Sequence, residues 1–211
     1  MSGPVRVAYD ALITAHELKP DPAQERAVAA LDRLARSFAE GGFFARLLRP
    51  DSDGPSGVYL WGGVGRGKSM LMDLTFAHLD IQPKRRVHFH EFMLETHARL
   101  RLAREREEGN PIEPVAERIA AEAKLLCFDE MQITNPADAM ILSRLFGKLL
   151  DEGVKVVTTS NRPPHDLYKD GLNRELFLPF IELIETKMLV IEVNGPIDYR
   201  LDRLTGVEVW H

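Results

Sequence analysis

Near the start of the chain, apolar residues recur at the three- and four-residue spacing that is typical of amphipathic helices. The first such pattern predicts a helix over 4–18. The sequence Lys-Pro-Asp-Pro at 19–22 breaks this helix, and Asp21 can cap a second helix that has its own apolar stripe and ends at Gly41. We therefore expect an N-terminal helical extension over 1–50, which is too short for a core of its own and docks on the domain that follows.

The remainder of the chain alternates between short apolar runs and longer helical patterns, which is typical of an α/β domain. Each apolar run is short enough for a strand and ends at turn residues, at acidic residues or at a helical pattern. The five predicted strands lie at 58–61, 87–90, 125–128, 154–159 and 188–193. We therefore expect a core domain over 51–195, followed at 196–211 by the start of a further element that is cut short.

The composition of the 211 residues is that of an ordinary soluble globular protein, with 45% hydrophobic and 28% charged residues. The net charge of −5 provides no general attraction to nucleic acid or to anionic lipid. The single cysteine, Cys127, lies in an apolar run, so we interpret it as a buried, inert thiol. No apolar stretch approaches the length of a membrane span and the N-terminus resembles no targeting peptide, so we expect a cytoplasmic protein that contacts membranes only through partners.

The turn after the first predicted strand carries the strongest chemical pattern in the chain. It fits the P-loop pattern G-x-x-x-x-G-K-[ST], and a helical pattern follows it, as that motif requires. In such a loop the glycines let backbone N–H groups surround a polyphosphate, the lysine reaches the β- and γ-phosphates, and the serine hydroxyl binds Mg²⁺. We therefore expect ATP and Mg²⁺ as ligands, with Ser69 contacting the metal; the alternative is a chance glycine-rich turn. The predicted nucleotide-binding residues are Gly62, Gly63, Val64, Gly65, Arg66, Gly67, Lys68 and Ser69.

Two acidic residues, Asp129 and Glu130, come directly after the third apolar run, as in a Walker B motif. A buried strand of this kind ends at the same edge of the sheet as the P-loop. We expect Asp129 to hold the hydration shell of Mg²⁺ and Glu130 to polarise the attacking water as general base. The alternative is that the two acids only end a strand. Because a kinase must keep water out, a glutamate beside the aspartate favours hydrolysis over phosphoryl transfer to a small molecule.

Two further polar residues are candidates for contacts with the nucleotide. Asn161 follows the fourth predicted strand, which we place between the strand of the P-loop and the strand of Asp129. In that position Asn161 would hydrogen-bond the attacking water or the γ-phosphate as a sensor; the alternative is an ordinary turn residue. Gln24, in the second helix, is a candidate for contact with adenine, although we favour its interpretation as a solvated helix residue.

The order of these motifs resembles that of the AAA+ ATPases. Longer blocks resemble the family of ZapE-type cell-division ATPases and their mitochondrial AFG-type, or lactation-elevated, relatives. The resemblance extends over most of the chain, from about Tyr9 to Leu201. It implies a three-layer αβα P-loop fold with a five-stranded parallel sheet. The blocks that carry it lie at 59–74, 86–93, 127–134, 137–142, 159–164 and 177–181.

The same resemblance implies a nucleotide-dependent homo-oligomer, in which ATP lies between subunits and a neighbouring subunit supplies an arginine. Arg174 stands at the matching place, and Arg162 is the second candidate. The family also implies a protein client, which is a tubulin-like division protein in the bacterial branch and a substrate of inner-membrane protein turnover in the mitochondrial branch. Members of the family continue past Trp210 into a helical lid with a second sensor arginine, so we expect a chain that lacks this lid.

We predict Mg²⁺-dependent ATP hydrolysis that remodels or positions a protein partner, in cell division at the division ring. The alternative from another class is a nucleic-acid motor or helicase loader. The net acidity opposes it, and Lys84, Arg85 and Arg86 would be its basic contact. A third hypothesis is a nucleotide-gated scaffold that binds ATP and hydrolyses it negligibly.

Overall fold

The computed structural model describes residues 2–40, 54–106 and 109–195, so the element expected at 196–211 lies outside the described residues. The described residues form seven α-helices and five strands. The helices are α1 Pro4–Thr14, α2 Pro22–Glu40, α3 Lys68–His78, α4 Phe89–Arg106, α5 Ile112–Glu122, α6 Pro136–Asp151 and α7 Leu178–Lys187. The strands are β1 Gly57–Trp61, β2 Lys84–His88, β3 Leu125–Asp129, β4 Lys155–Ser160 and β5 Met188–Glu192. Short 3₁₀ helices occupy Pro164–Asp166 and Arg174–Leu176.

The five strands form one parallel sheet in the order β2-β3-β4-β1-β5. The expected α/β fold with a five-stranded parallel sheet is therefore confirmed. β4 lies between β1 and β3, as we expected for the strand that precedes Asn161. Because the strands are parallel, the P-loop after β1, the acids at the end of β3 and Asn161 after β4 share the carboxyl edge of the sheet.

Helices cover both faces of the sheet, which produces three layers. Successive side chains of a strand point to opposite faces, so Leu126 and Phe128 belong to one hydrophobic cluster and Leu125 and Cys127 to the other. The first cluster is rich in aromatic rings and packs helices α4 to α7 against the sheet. The second is mainly aliphatic and packs α1, α2 and α3 on the opposite face. The two N-terminal helices therefore contribute to one of the three layers.

Two elements differ from the sequence prediction by three or more residues at one end. The second strand occupies Lys84–His88 instead of 87–90, because an edge strand that pairs only with β3 tolerates polar side chains and carries no apolar run. Helix α1 ends at Thr14 instead of residue 18. His16 has a φ of +60°, and the backbone there turns back on α1. No helix in the described ranges has the length and apolar character needed to cross a bilayer.

Candidate active site

The P-loop follows β1 directly, and α3 begins at its lysine, Lys68. The preceding residue, Gly67, has a φ of +86°, in the left-handed region that glycine adopts without steric cost. A Cβ built at Gly67 would lie 2.6 Å from Nε2 of Gln24. The turn therefore favours glycine at this position, and a side chain here would also displace the amide group of Gln24 from its place beside the loop.

The ammonium group of Lys68 is buried inside the loop. Its Nζ donates hydrogen bonds to the backbone oxygens of Gly62 at 2.8 Å and Gly63 at 2.7 Å. It also donates to Oδ1 of Asn161 at 3.1 Å. The structure thus brings the predicted P-loop lysine and the predicted sensor residue into direct contact.

The carboxylate of Asp129 is buried at the end of β3 and accepts hydrogen bonds from three different elements. Its Oδ1 accepts from Oγ of Ser69 at 2.9 Å and from Oγ1 of Thr159 at 2.7 Å. Its Oδ2 accepts from Nη2 of Arg86 at 3.0 Å, and Nε of the same arginine pairs with Asp73 at 2.7 Å. The two predicted metal ligands are therefore adjacent. Sequence reasoning did not identify Thr159 or Arg86 as neighbours of this carboxylate.

Glu130 lies exposed immediately after this buried aspartate and has a φ of +55°. A residue other than glycine is uncommon in this left-handed region. Its backbone N–H donates to Oγ1 of Thr159 at 2.9 Å. The sharp turn separates the two acids: Asp129 is held inside the sheet edge, whereas Glu130 reaches the surface.

The oxygen atoms at Asp129 and Ser69 are suitable ligands for Mg²⁺ of the kind that accompanies a bound nucleotide. Mg²⁺ prefers oxygen ligands and is usually held by one or two carboxylates together with substrate phosphates and water. Oγ of Ser69 and Oδ1 of Asp129, which are 2.9 Å apart, supply such oxygens beside the P-loop. Across the described ranges, no group of three or more His, Cys, Asp or Glu side chains could hold a metal ion. A metal at this place would therefore depend on the phosphates of a bound nucleotide.

A cleft of about 520 Å³ opens at the carboxyl edge of the sheet beside Glu130 and Asn161. Its walls combine charged and amide side chains with apolar ones. No P-loop residue lines the cleft. Asn161 borders it and also contacts the P-loop lysine. The lining residues belong to 130–134, 160–162 and 167–171.

The two candidate arginines lie in different surroundings. Arg162 is exposed, directly after Asn161, and borders the cleft. Arg174 begins the second 3₁₀ helix, and its Nη2 donates to the backbone oxygen of His165 at 2.7 Å. In the part of the chain that the structure describes, no hydrogen bond connects Arg174 to the P-loop or to the acids. The structure does not bring Arg174 into the candidate site of its own chain.

Lys84, Arg85 and Arg86, the basic contact of the nucleic-acid alternative, bind groups of the same chain. Nζ of Lys84 donates to the backbone oxygen of Leu79 at 2.8 Å. Arg85 forms an ion pair with Glu95, and its hydrogen bond lowers the pKa of that carboxyl. Arg86 is paired with aspartates as described above. Because the two arginines are paired with acids and the lysine is bound to backbone oxygens, the sequence feature that favoured the nucleic-acid alternative loses its force.

Two sequence interpretations of single residues have opposite outcomes. Gln24 is fully buried, and its Nε2 donates to the backbone oxygen of Arg66 at 3.1 Å. The interpretation of Gln24 as a solvated residue is wrong, because α2 packs against the P-loop; its contact with adenine stays a prediction. Cys127 is buried in β3, so the interpretation of a buried thiol is confirmed. Burial also raises the pKa of this thiol to about 12, which supports the expectation that it is inert.

Comparison with known proteins assigns the chain to a family. The family model of the AFG1-like ATPases matches residues 4–211. The chain belongs to the AFG1-like ATPase family. This assignment confirms the resemblance that the P-loop, the Asp-Glu pair and the neighbouring sequence blocks indicated.

Two curated relatives illustrate the range of the family. Cell division protein ZapE of Escherichia coli (strain K12) is 38% identical over 207 residues, which are 91% of this chain and 55% of that protein. Lactation elevated protein 1 homolog B of Danio rerio is 46% identical over 155 residues, which are 69% of this chain and 31% of that protein. The AFG1-like chain therefore spans at most about half the length of these relatives.

Solved structures show the same fold at low sequence identity. The AMPPCP-bound DnaA from Aquifex aeolicus is similar with a TM-score of 0.58 and 14% identity, covering 92% of this chain and 56% of that chain. At this identity the likeness shows only that the AFG1-like chain shares the P-loop AAA+ fold.

Proposed function

We propose that this AFG1-like chain binds ATP with Mg²⁺ and hydrolyses its γ-phosphate bond. The observation that carries the proposal is a pair of contacts at the carboxyl edge of the sheet. Lys68 is hydrogen-bonded to Asn161, and Ser69 is hydrogen-bonded to Asp129. A phosphate-binding lysine, a metal-binding hydroxyl, a carboxylate and a sensor amide are thereby collected at one place, in a chain whose family is one of ATPases.

In this proposal, each group has a separate task. The backbone N–H groups of 62–69 and the N-terminus of α3 surround the phosphates, and Lys68 exchanges its carbonyl partners for phosphate oxygens. Mg²⁺ held by Ser69 and, through water, by Asp129 would neutralise charge on the phosphates. Glu130 accepts the proton of the attacking water, and Asn161 orients that water or the γ-phosphate.

Glu130→Gln tests the proposal, because it removes the proton acceptor and keeps the shape of the side chain. We expect turnover to fall by about 10²–10⁴-fold, the range for a general base. Binding of a fluorescent ATP analogue should remain. Lys68→Ala should lose binding as well as phosphate release, and Glu117→Gln, an exposed residue on α5, is the matched control. Unchanged turnover in Glu130→Gln would contradict the proposed base and favour the scaffold hypothesis.

We also propose that Arg174 acts on ATP bound by a neighbouring copy of the chain. Three exposed leucines, Leu172, Leu176 and Leu178, lie beside it in sequence and form the type of surface that proteins use for contacts. Arg174→Ala and Lys68→Ala should each be inactive alone. A mixture of the two should regain turnover, because the Lys68→Ala copies supply Arg174 to intact P-loops. The same mixture with Arg162→Ala replacing Arg174→Ala tests the second candidate, and no recovery in either mixture would argue against an arginine in trans.

We propose a protein client in cell division, and the ZapE relative, which is named a cell division protein, supports this proposal. We propose a tubulin-like division protein as that client, remodelled or positioned by ATP hydrolysis. The purified client should sediment with Glu130→Gln in ATP and separate from it in ADP. Absence of binding in both nucleotide states would contradict this part of the proposal. The cytoplasmic location expected from the sequence stays a prediction.

A further inference from the structure

The geometry points to Thr159 as a positioning residue for both acids of the candidate site. We infer that its hydroxyl holds the carboxylate of Asp129 and the backbone of Glu130 in the arrangement that hydrolysis requires. The inference rests on the proposed ATPase function and adds a residue that belongs to neither the P-loop nor the Asp-Glu pair.

The Thr159 hydroxyl has one hydrogen atom and makes two directed hydrogen bonds. It is buried in β4, with 1% of the residue exposed. An ionised carboxylate only accepts hydrogen bonds, so the hydroxyl hydrogen is donated to Oδ1 of Asp129 at 2.7 Å. An oxygen lone pair then accepts the N–H of Glu130 at 2.9 Å. Each bond therefore has a single possible direction, and water has little access to replace either.

The second of these bonds supports a strained backbone. The φ of +55° at Glu130 is unfavourable for a residue with a side chain and persists only where the surroundings hold it. The backbone carbonyl of Thr159 adds a further support, because it accepts the N–H of Met131 at 2.7 Å. Without the Thr159 hydroxyl, the turn that brings Glu130 out of the sheet edge would lose its hydrogen bond at the strained residue itself.

The neighbouring residues of β4 extend the same support. Oγ of Ser160 donates to the backbone oxygen of Met131 at 3.0 Å. Asn161, the next residue, contacts Lys68. Three consecutive residues thus connect one central strand to the acidic turn and to the P-loop lysine. β4 thus contacts the turn that carries the acids and leads directly into the proposed sensor, and Thr159 is the residue of β4 that contacts both acids.

Thr159→Val tests the inference, because valine keeps the branched shape of threonine and removes the hydroxyl. A matched control lies next to it: Thr158 is also buried in β4, and its Oγ1 has no hydrogen-bond partner among the described residues. We expect Thr159→Val to lower kcat by about 10–100-fold, the range for groups that orient metal-site ligands, and Thr158→Val to leave it unchanged. Thr159→Ser keeps the hydroxyl and should restore most of the activity.

A second readout does not depend on turnover. The affinity for a fluorescent ATP analogue is measured with Mg²⁺ and again in EDTA, for both valine variants. Thr159→Val should lose affinity only with Mg²⁺, because its effect on binding passes through Asp129. Its melting temperature should fall below that of Thr158→Val but stay well above the assay temperature, so that both variants are folded when they are compared. Equal kcat and equal affinity ratios in the two valine variants would overturn the inference. So would a loss of binding in EDTA or of folding that accounts for the whole effect.

The two proposals fail separately. A wild-type chain that releases no phosphate above the Lys68→Ala blank overturns the proposed function. In that case the ratio of affinities with and without Mg²⁺ still decides whether Thr159 holds Asp129.

Discussion

On the acidic side of the candidate site, side chains of the adjacent strand of the sheet hold the backbone turn, whereas the P-loop also depends on side chains from outside the sheet. Thr159 and the next residue of β4 bind the turn at 129–131. The P-loop shares a backbone hydrogen bond with β4, from the N–H of Gly62 to the oxygen of Ser160 at 3.2 Å. In addition, Gln24 of α2 binds the backbone oxygen of Arg66. Asn194, which follows the end of β5, also contacts the P-loop, because its Oδ1 accepts the N–H of Gly63 at 2.7 Å.

This difference has a consequence for how each side depends on the rest of the molecule. β4 is buried between β1 and β3, so the support of the acids belongs to the centre of the sheet. The support of the P-loop depends on the aliphatic layer, in which α1 and α2 pack against α3 and the sheet. We therefore expect disturbances of α2 to act on nucleotide affinity with or without Mg²⁺, and disturbances of the end of β4 to act on the rate of hydrolysis and on the part of the affinity that depends on Mg²⁺.

The largest effect is expected from a cavity in the aliphatic layer. Leu31 of α2 is fully buried, and Leu31→Ala should lower the free energy of unfolding by about 2–5 kcal/mol. Val7→Ala, at an exposed position of α1, should stay within about 0.5 kcal/mol of the parent. Urea unfolding followed by circular dichroism measures both. A separate early transition for α2, with the rest of the domain unaffected, would show that the N-terminal helices are an independent extension.

A smaller effect is expected from the contact of α2 with the P-loop. Gln24→Leu removes a hydrogen bond, which contributes about 0.5–1.5 kcal/mol, so we expect ATP affinity to fall by about 2- to 10-fold. The kcat at saturating ATP should be retained. Folding stability should not fall, because the substitution also removes Oε1, a buried oxygen with no hydrogen-bond partner among the described residues. Steady-state kinetics with Arg33→Gln, an exposed position of α2, as control would measure this. A loss of kcat with unchanged ATP affinity would contradict the inference that α2 supports nucleotide binding.

The smallest effect is expected from Asn194, which follows the end of β5. Asn194→Ala removes the acceptor of the Gly63 N–H, but this contact is exposed and water can take its place. We expect ATP affinity to change by no more than about twofold, the lower limit for a net hydrogen bond. Titration of the fluorescent analogue against wild type and Gln24→Leu measures the difference. An effect larger than that of Gln24→Leu would show that the main support of the P-loop comes from the segment after β5 and not from α2.

Local patterns predicted much of the fold and of the candidate site. The P-loop, the Asp-Glu pair and four of the five strands were readable because each is a short run with its own composition. The second strand was misplaced, since an edge strand that begins Lys84, Arg85, Arg86 has neither alternation nor an apolar run. The same residues were interpreted as a free basic contact because no local signal shows that their partners lie on α3, on α4 and in β3.

The sequence by itself determined which groups follow each strand, and in a parallel sheet the groups that follow β1, β3 and β4 share the carboxyl edge. Only the tertiary structure decided how those groups are held. Thr159 meets Asp129 through the pairing of β4 with β3, and Gln24 meets Arg66 through the packing of α2, across separations of 30 and 42 residues. Such contacts depend on the register between strands and on the fit between layers, and neither is encoded in a short stretch of chain.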